Sequence, residues 1–362
     1  MGAPLVSVVV RSHNRAHGLA RTVDSALAQT HANLEILVVD DDPVDDMRAV
    51  IERAYADEPR VRYLHQPNRG ASAARHVGLA AARGDYIGLL DSDDVWLPWK
   101  IEAQLRVLDA VPEAGMVWTD MDAVSTDGAV LARRYLTEKY SAYGWFESRE
   151  DLFERWFPFA DVHPKLAADI GGPRVYAGDI FSEMVLGNLI HTSTVLLRRE
   201  RFERVAGFGV GLARSGEDYD LHLRTCREGP VAYLDAVSIL YQRGAEDQAT
   251  TVRGYKIDMA KNFLSTVAAA IERDRHRIRL PKIMLDEVLA EAHAWIGECH
   301  VDRGEHRDAT PQFMTSLRYK PKQPRVVAYL AMSLLPSTVG DAMRSAYRFA
   351  KKQLDPPATG AP

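Results

Sequence analysis

The sequence predicts an α/β fold, a parallel sheet with helices on both faces, followed by a helical region. Three observations predict it. Through residue 124, apolar β-rich runs alternate with segments of helical spacing, the pattern of parallel strands joined by crossover helices. Two of the runs, "NLEILVVDDDP" and "DYIGLLDSDD", end in acidic clusters at positions 40–42 and 91–94. After about residue 246 the strand-like runs cease.

"PLVSVVVRSHNR" is a β-branched run ending in polar turn residues, a strand entering a loop. In "LARTVDSALAQ" the apolar residues fall at 19, 23, 26 and 27, which is helical spacing. A second strand, "NLEILVVDDDP", precedes the helix "DDMRAVIERAYA" and the short strand "VRYLHQ". "GASAARHVGLAAARG" is a small-residue helix stopped by Gly84. The strand "DYIGLLDSDD", the helix "WKIEAQLRVLDAV" before Pro112, and the strand "GMVWTDMDAV" follow. Residues 130–190 are irregular and aromatic. "TSTVLLRRERFERVAGF" reads as a strand and a short helix, and "VAYLDAVSILYQRG" as a closing pair of strands. Between these, "SGEDYDLHLRTCREG" starts a helix with Glu217 and Asp218 in its first turn.

Residues 252–320 read as helices. Ile296, Gly297, Gly304, Ala309, Phe313 and Pro321 fit one unit of the tetratricopeptide pattern, with His293 and His300 replacing its Trp and Tyr. Such repeats need about three units to stand alone, so a single hairpin is expected to pack on, or cap, the main domain. The expected domains are 1–245, 246–320 and a basic amphipathic tail, 321–362.

A chain of 362 residues suggests more than one domain. Cys226 and Cys299 fit no metal spacing, which suits a reducing compartment. The run Leu5 to Val10 is too short for a signal peptide, and Val326 to Pro336 is about half a spanning helix. A soluble, cytoplasmic protein is expected. From Arg318 onward eight Lys/Arg face two acids, so the net −5 divides into +6 on the tail and −11 elsewhere. That acidic body argues against nucleic-acid binding.

Right-handed crossovers bring the C-terminal ends of parallel strands to one edge, where open α/β sheets bind ligands. Asp91-Ser92-Asp93 at such an edge suits Mg²⁺, which is held by one or two carboxylates plus substrate phosphates. Arg75 suits a diphosphate or a structural ion pair with an edge carboxylate. Glu217 and Asp218 either stabilise their helix start or supply a general base.

"VSVVVRSHNR", "ALAQTHANLEILVVDDDP", "NRGASAARHVGLAAARGDYIGLLDSDDVWLPWKIEAQ", "HTSTVLLRRERFERVAGF" and "GEDYDLHLR" occur in an order that resembles the family-2 inverting glycosyltransferases. The resemblance covers residues 4–245. It implies a GT-A fold, a Rossmann-like mixed, mainly parallel sheet, and a nucleotide-diphosphate sugar donor, most often UDP-linked. It implies that the backbone near Arg11 and the side chain of Asp41 contact the nucleobase. Arg75 would serve the donor site, Asp91 and Ser92 the nucleoside, and Asp93 a Mn²⁺ or Mg²⁺ ion. Asp218 would be the base, Glu217 its positioning neighbour, and Asp94 either a support behind the residues that touch the ligand or a helix cap for the turn at Trp96-Leu97-Pro98. Asn188 and His191 would lie on the acceptor wall with the aromatic segment 135–159.

The chain departs from the family at Arg11-Ser12, Asp42-Pro43 and His76, and lacks the histidine many members carry after the last strand. His222 or Gln242 could substitute for it. The expected acceptor is a glycan, a lipid-linked molecule or a small molecule in polysaccharide, glycolipid or natural-product biosynthesis. "VVAYLAMSLLPSTVGDAMRSAYRFAKKQ" reads either as a peripheral membrane anchor suited to a lipid-linked acceptor or as a packed helix with a basic end. A non-catalytic sugar-nucleotide or scaffold protein is the alternative, and the presence of Asp93 and Asp218 argues against it. A nucleotidyltransferase would want a glycine-rich phosphate loop, which "RSHNRAHG" is not.

Overall fold

The two acid-ended strands flank a third, and their register carries the acidic residues to one edge. In this computed structural model residues 2–12, 16–41, 47–66, 71–209, 212, 215–244 and 255–335 are described. Strand β1 (Val6–Ser12) is followed by α1 (Ala16–Leu27), β2 (Leu34–Asp41), α2 (Met47–Ala54), β3 (Val61–Gln66), α3 (Ala71–Ala81) and β4 (Tyr86–Asp91). β1 runs parallel to β2 and to β4, with Arg11 level with Val39 on one side and Asp91 on the other. Val8, Val10, Ile36, Val38, Ile87 and Leu89 are fully buried, as expected of β-branched and aliphatic runs covered on both faces. The polar ends of the strands therefore sit at the rim of an apolar core.

The chain continues through β5 (Val95–Trp96), α4 (Lys100–Ala110), β6 (Met116–Val124), β7 (Val130–Ala132) and α5 (Leu136–Lys139). Next come β8 (Arg155–Pro158), α6 (Pro164–Asp169), β9 (Arg174–Gly178), α7 (Phe181–Met184), β10 (Leu196–Arg198), α8 (Arg199–Arg204), α9 (Glu217–Arg227) and β11 (Val231–Gln242). The sheet order is β3-β2-β1-β4-β10-β6-β11-β9-β8, with β5 paired to β11 and β7 to β6. β10 enters antiparallel between β4 and β6, so the sheet is mixed and mainly parallel on the β3–β4 side. The expected closing pair of strands is one strand, β11, broken by register shifts between Leu234 and Val237 and between Val237 and Ile239. Asp235 falls at that irregularity.

The chain folds as two compact units, Met1–Thr251 and Val252–Pro362. Within the second, α10 (Tyr255–Asp274), α11 (Lys282–Asp302), α12 (His306–Tyr319) and α13 (Pro324–Ser333) are all helical. Ala294, Val301, Ala309, Phe313, Val326, Tyr329 and Met332 form its core. The start of the basic tail is thus packed helix, while residues 336–362 lie outside the described residues. No described helix is long and apolar enough to cross a membrane.

Gly297 lets α12 approach α11: a Cβ there would lie 2.6 Å from Cε1 of Phe313. Gly297→Leu is expected to lower the stability of this unit by about 1–3 kcal/mol through overpacking. Hydrogen exchange of α11 and α12 checks this, and an unchanged protection would contradict it.

Candidate active site

The site begins at the end of β4. After Asp91 the backbone turns, with the Asp94 amide donating to the Asp91 carbonyl at 3.0 Å. The turn is clamped from both sides. Thr22 Oγ1 donates to the carbonyls of Ser92 and Asp94 at 3.0 and 2.9 Å. The Asp91 amide donates to Ser193 Oγ at 3.1 Å, and Trp96 Nε1 donates to the Ser193 carbonyl at 2.8 Å. Under it, the fully buried Lys100 donates to Gln104 Oε1 at 2.7 Å and lies over the Trp96 ring. The aromatic and charged residues of "DDVWLPWK" therefore fix the backbone that presents the acids.

Arg75, on α3, bridges the two halves of the site. Its Nη2 donates to Asp91 Oδ1 at 2.8 Å and its Nη1 to Glu217 Oε1 at 2.7 Å. The Phe208 ring covers the guanidinium at 5.0 Å. The structural-pair reading of Arg75 is thereby realised, at two carboxylates 126 positions apart. Burial alone would push the Asp91 carboxyl up, but Arg75, His191 and Arg11 outweigh it and hold it at about 2. Glu217 moves the other way: burial raises it, Arg75 opposes and the neighbouring Asp218 charge adds to the rise.

Glu217 and Asp218 open α9 after Gly216, which holds φ at +88° as the N-cap. That left-handed conformation suits glycine, and it sets the direction in which the acid pair leaves the loop. Asp218 Oδ1 accepts from the Tyr219 amide at 2.8 Å. The side chain is half-buried, unlike the nearly enclosed Glu217.

At the β1–β2 side, Asp41 is buried and its Oδ1 accepts from Gln66 Nε2 at 2.8 Å. The Arg11 guanidinium is drawn below its ordinary range by burial and by the like charge of Arg75. Its buried Nε has no hydrogen-bond partner among the described residues. Ser92 is buried in the turn.

Asp94 does not serve as the helix cap. The N-cap of α4 is Trp99, without a side-chain capping bond, and the fully buried Asp94 carboxylate instead meets His191. Its Oδ2 lies 3.1 Å from His191 Nε2, while His191 Nδ1 lies 3.3 Å from the Tyr140 hydroxyl. Asp94 Oδ1 is buried with no hydrogen-bond partner among the described residues. One ligand atom each from Asp91, Asp94 and His191 lie within 4.8 Å of one another. Two carboxylates, one of them with an orphaned buried oxygen, and an imidazole fit a divalent ion such as Mn²⁺. Asp93 sits half-buried on the same turn and outside that cluster.

Asn188 and His191, the expected acceptor contacts, each have a partner within the fold: Asn188 Oδ1 accepts from the Ile190 amide at 3.1 Å, and His191 faces Asp94. Much of the aromatic segment packs inward, with Tyr135, Tyr143, Phe153 and Phe159 buried and Trp156 exposed. His222 does not replace the absent histidine. It is fully buried, both ring nitrogens lack hydrogen-bond partners among the described residues, and burial pushes it down to about 3.

A histidine with a depressed folded pKa stabilises the fold above its unfolded value near 6.5, and this contribution is lost as pH falls toward 3. Between those limits the unfolded chain holds the extra proton. His222→Leu should therefore reduce the stability loss between pH 7 and pH 5 by on the order of 2 kcal/mol. Urea unfolding of both proteins at the two pH values checks this, and identical pH slopes would contradict it.

Residues 7–167 match the family described as Glycosyl transferase family 2. The chain is 36% identical over 138 residues to a chondroitin synthase of Pasteurella multocida, covering 38% of this chain and 14% of that protein. It is 34% identical over 272 residues to a chondroitin synthase of Escherichia coli, covering 75% of this chain and 33% of that protein. The chain thus spans a minor part of the length of these two relatives. Among solved structures, S. aureus TarS 1–349 in complex with UDP-GlcNAc aligns with a TM-score of 0.60 at 14% identity. That alignment covers 94% of this chain and 92% of the TarS chain, and at such identity it speaks to fold. Within the first unit, residues 7–167, which hold the acidic edge of a mixed and mainly parallel GT-A sheet, are those of a family-2 glycosyltransferase.

Proposed function

We propose that the chain transfers a sugar from a nucleotide-diphosphate donor, a UDP-sugar, to an acceptor hydroxyl with inversion, in the assembly of a polysaccharide or related glycan. One observation carries this reading: Arg75 ties Asp91 at the end of β4 to Glu217 at the head of α9. The bridge links the donor edge to the acid pair, and leaves Asp218 without an ion pair among the described residues. The chondroitin synthases among the relatives support a polysaccharide product.

In this reading Arg11 and Asp41 receive the nucleobase, and Asp91 and Ser92 the nucleoside. Arg75 holds Asp91 ionised. Asp218 removes the proton from the acceptor hydroxyl as its oxygen attacks the anomeric carbon. Glu217, held by Arg75, keeps the helix start in place. Asp91, Asp94 and His191, with Asp93 on the same turn, would hold Mn²⁺ or Mg²⁺. Such an ion, when bound, supplies Lewis-acid neutralisation of the leaving diphosphate.

A thermal-shift series with UDP-, GDP-, ADP-, CDP- and dTDP-sugars, with and without Mn²⁺, tests the donor class. A cognate donor at 100 times its Kd stabilises the protein by about 2.7 kcal/mol. UDP-sugars are expected to act, more strongly with Mn²⁺. No response to any of them would overturn the reading.

A further inference from the structure

Lys139 ends α5, a short helix rooted in the sheet. The Tyr135 amide donates to the Met121 carbonyl at 2.7 Å, and the Leu136 amide to Asp120 Oδ1 at 3.2 Å. Leu136 is fully buried. The backbone of this lysine is therefore anchored.

Its ammonium makes no ion pair among the described residues. It rests on ring faces instead, 3.8 Å above the Tyr241 centroid and 5.8 Å from that of Tyr140. Tyr241 meets His191 edge-on at 5.0 Å, and His191 lies 3.1 Å from Asp94. This chain of contacts links Lys139 to the acidic turn. Asp94, Asp218 and Asp91 are the carboxylates whose charges reach it, and Asp94, Asp93 and Asp91 act likewise on Tyr241 beneath it.

A partly buried lysine beside such a concentration of acids would ordinarily pair with one of them. A cation–π contact holds an ammonium less strongly than a charge-assisted bond to phosphate oxygen. The ammonium is thus left available to an anion that enters beside the turn.

We propose that Lys139 is the side chain that pairs with the donor's diphosphate. This rests on the donor reading above. When the acceptor oxygen bonds to the anomeric carbon, the bond from that carbon to the β-phosphate oxygen breaks. Its electron pair stays on that oxygen, the acceptor's proton passes to Asp218, and Lys139 neutralises the new phosphate charge. Burial pushes the lysine's basicity down, and a bound diphosphate favours its charged form.

The test is calorimetric binding of UDP, UMP and uridine, with Mn²⁺ present, to the full chain and to Lys139→Met, Lys139→Gln and Lys139→Arg. Loss of one charge-assisted phosphate contact should weaken UDP about 10- to 100-fold in the Met and Gln variants. UMP should weaken less, uridine should be unchanged, and Lys139→Arg should recover most of the UDP affinity. Unchanged thermal unfolding would accompany this result. Equal weakening of UDP and uridine would make Lys139 structural and overturn the proposal. So would unaltered UDP affinity with a raised KM for the acceptor alone, which would assign the lysine to an acidic acceptor. A wild-type chain that binds UMP and uridine but gains nothing from the second phosphate also overturns it, leaving the nucleotide reading standing. A wild type that binds none of the three overturns both.

Discussion

Asp218→Asn is expected to lower turnover by about 10²–10⁴-fold, the usual cost of removing a general base, while nucleotide affinity stays near that of the wild type. The amide keeps the shape and can still accept from the Tyr219 amide, as Oδ1 does at 2.8 Å. What it loses is the ability to take a proton. The donor-side bridge does not pass through Asp218, because Arg75 pairs with Asp91 and Glu217. Steady-state kinetics beside UDP calorimetry separates the two effects. A variant that loses nucleotide affinity as severely as turnover would remove Asp218 from the role of base.

Arg75→Met is expected to have the largest effect on stability. The side chains of Arg75, Glu217 and Asp91 are 6%, 10% and 29% exposed. Breaking a buried pair strands the remaining charge, at a cost of about 3–5 kcal/mol. The lower end is expected here, since Asp91 is partly open to water. Arg75→Lys should recover only part of the loss, because a single ammonium cannot reproduce the two-armed fork. Adding Glu217→Gln to Arg75→Met should also recover part of it, by removing one stranded charge. Urea unfolding of the wild type, these three variants and Glu217→Gln alone tests this. A double variant as unstable as the sum of its parts would contradict the idea of a stranded carboxylate.

The first half of the sheet was legible because its signals are local. β1, β2 and β4 are β-branched or aliphatic runs, β2 and β4 end in acids, and parallel register carries those ends to one rim. β10 was read as a strand, but its place was not legible. Three of its residues pair antiparallel with β4 and two with β6, and no crossover rule applies to so short and distant an insertion. The Asp94–His191 contact spans 97 positions. An acid in a run of acids reads as solvated, and only the folded turn shows Asp94 enclosed. Lys139 lies in an aromatic stretch without periodicity, so neither its anchor on Asp120 nor its perch on Tyr241 could be anticipated. The roles of Arg75 and Glu217 were open for a related reason: each had a local explanation, and the bridge that joins them is a product of the fold.

Stereochemistry decides whether Asp218 drives a direct displacement. With Mn²⁺ and the UDP-sugar that stabilises the protein most, proton NMR can follow the released or transferred sugar before mutarotation. Direct displacement assisted by Asp218 predicts a product of inverted anomeric configuration and one UDP released per sugar. Retention of configuration, or no cleavage of any nucleotide sugar that binds, would contradict it.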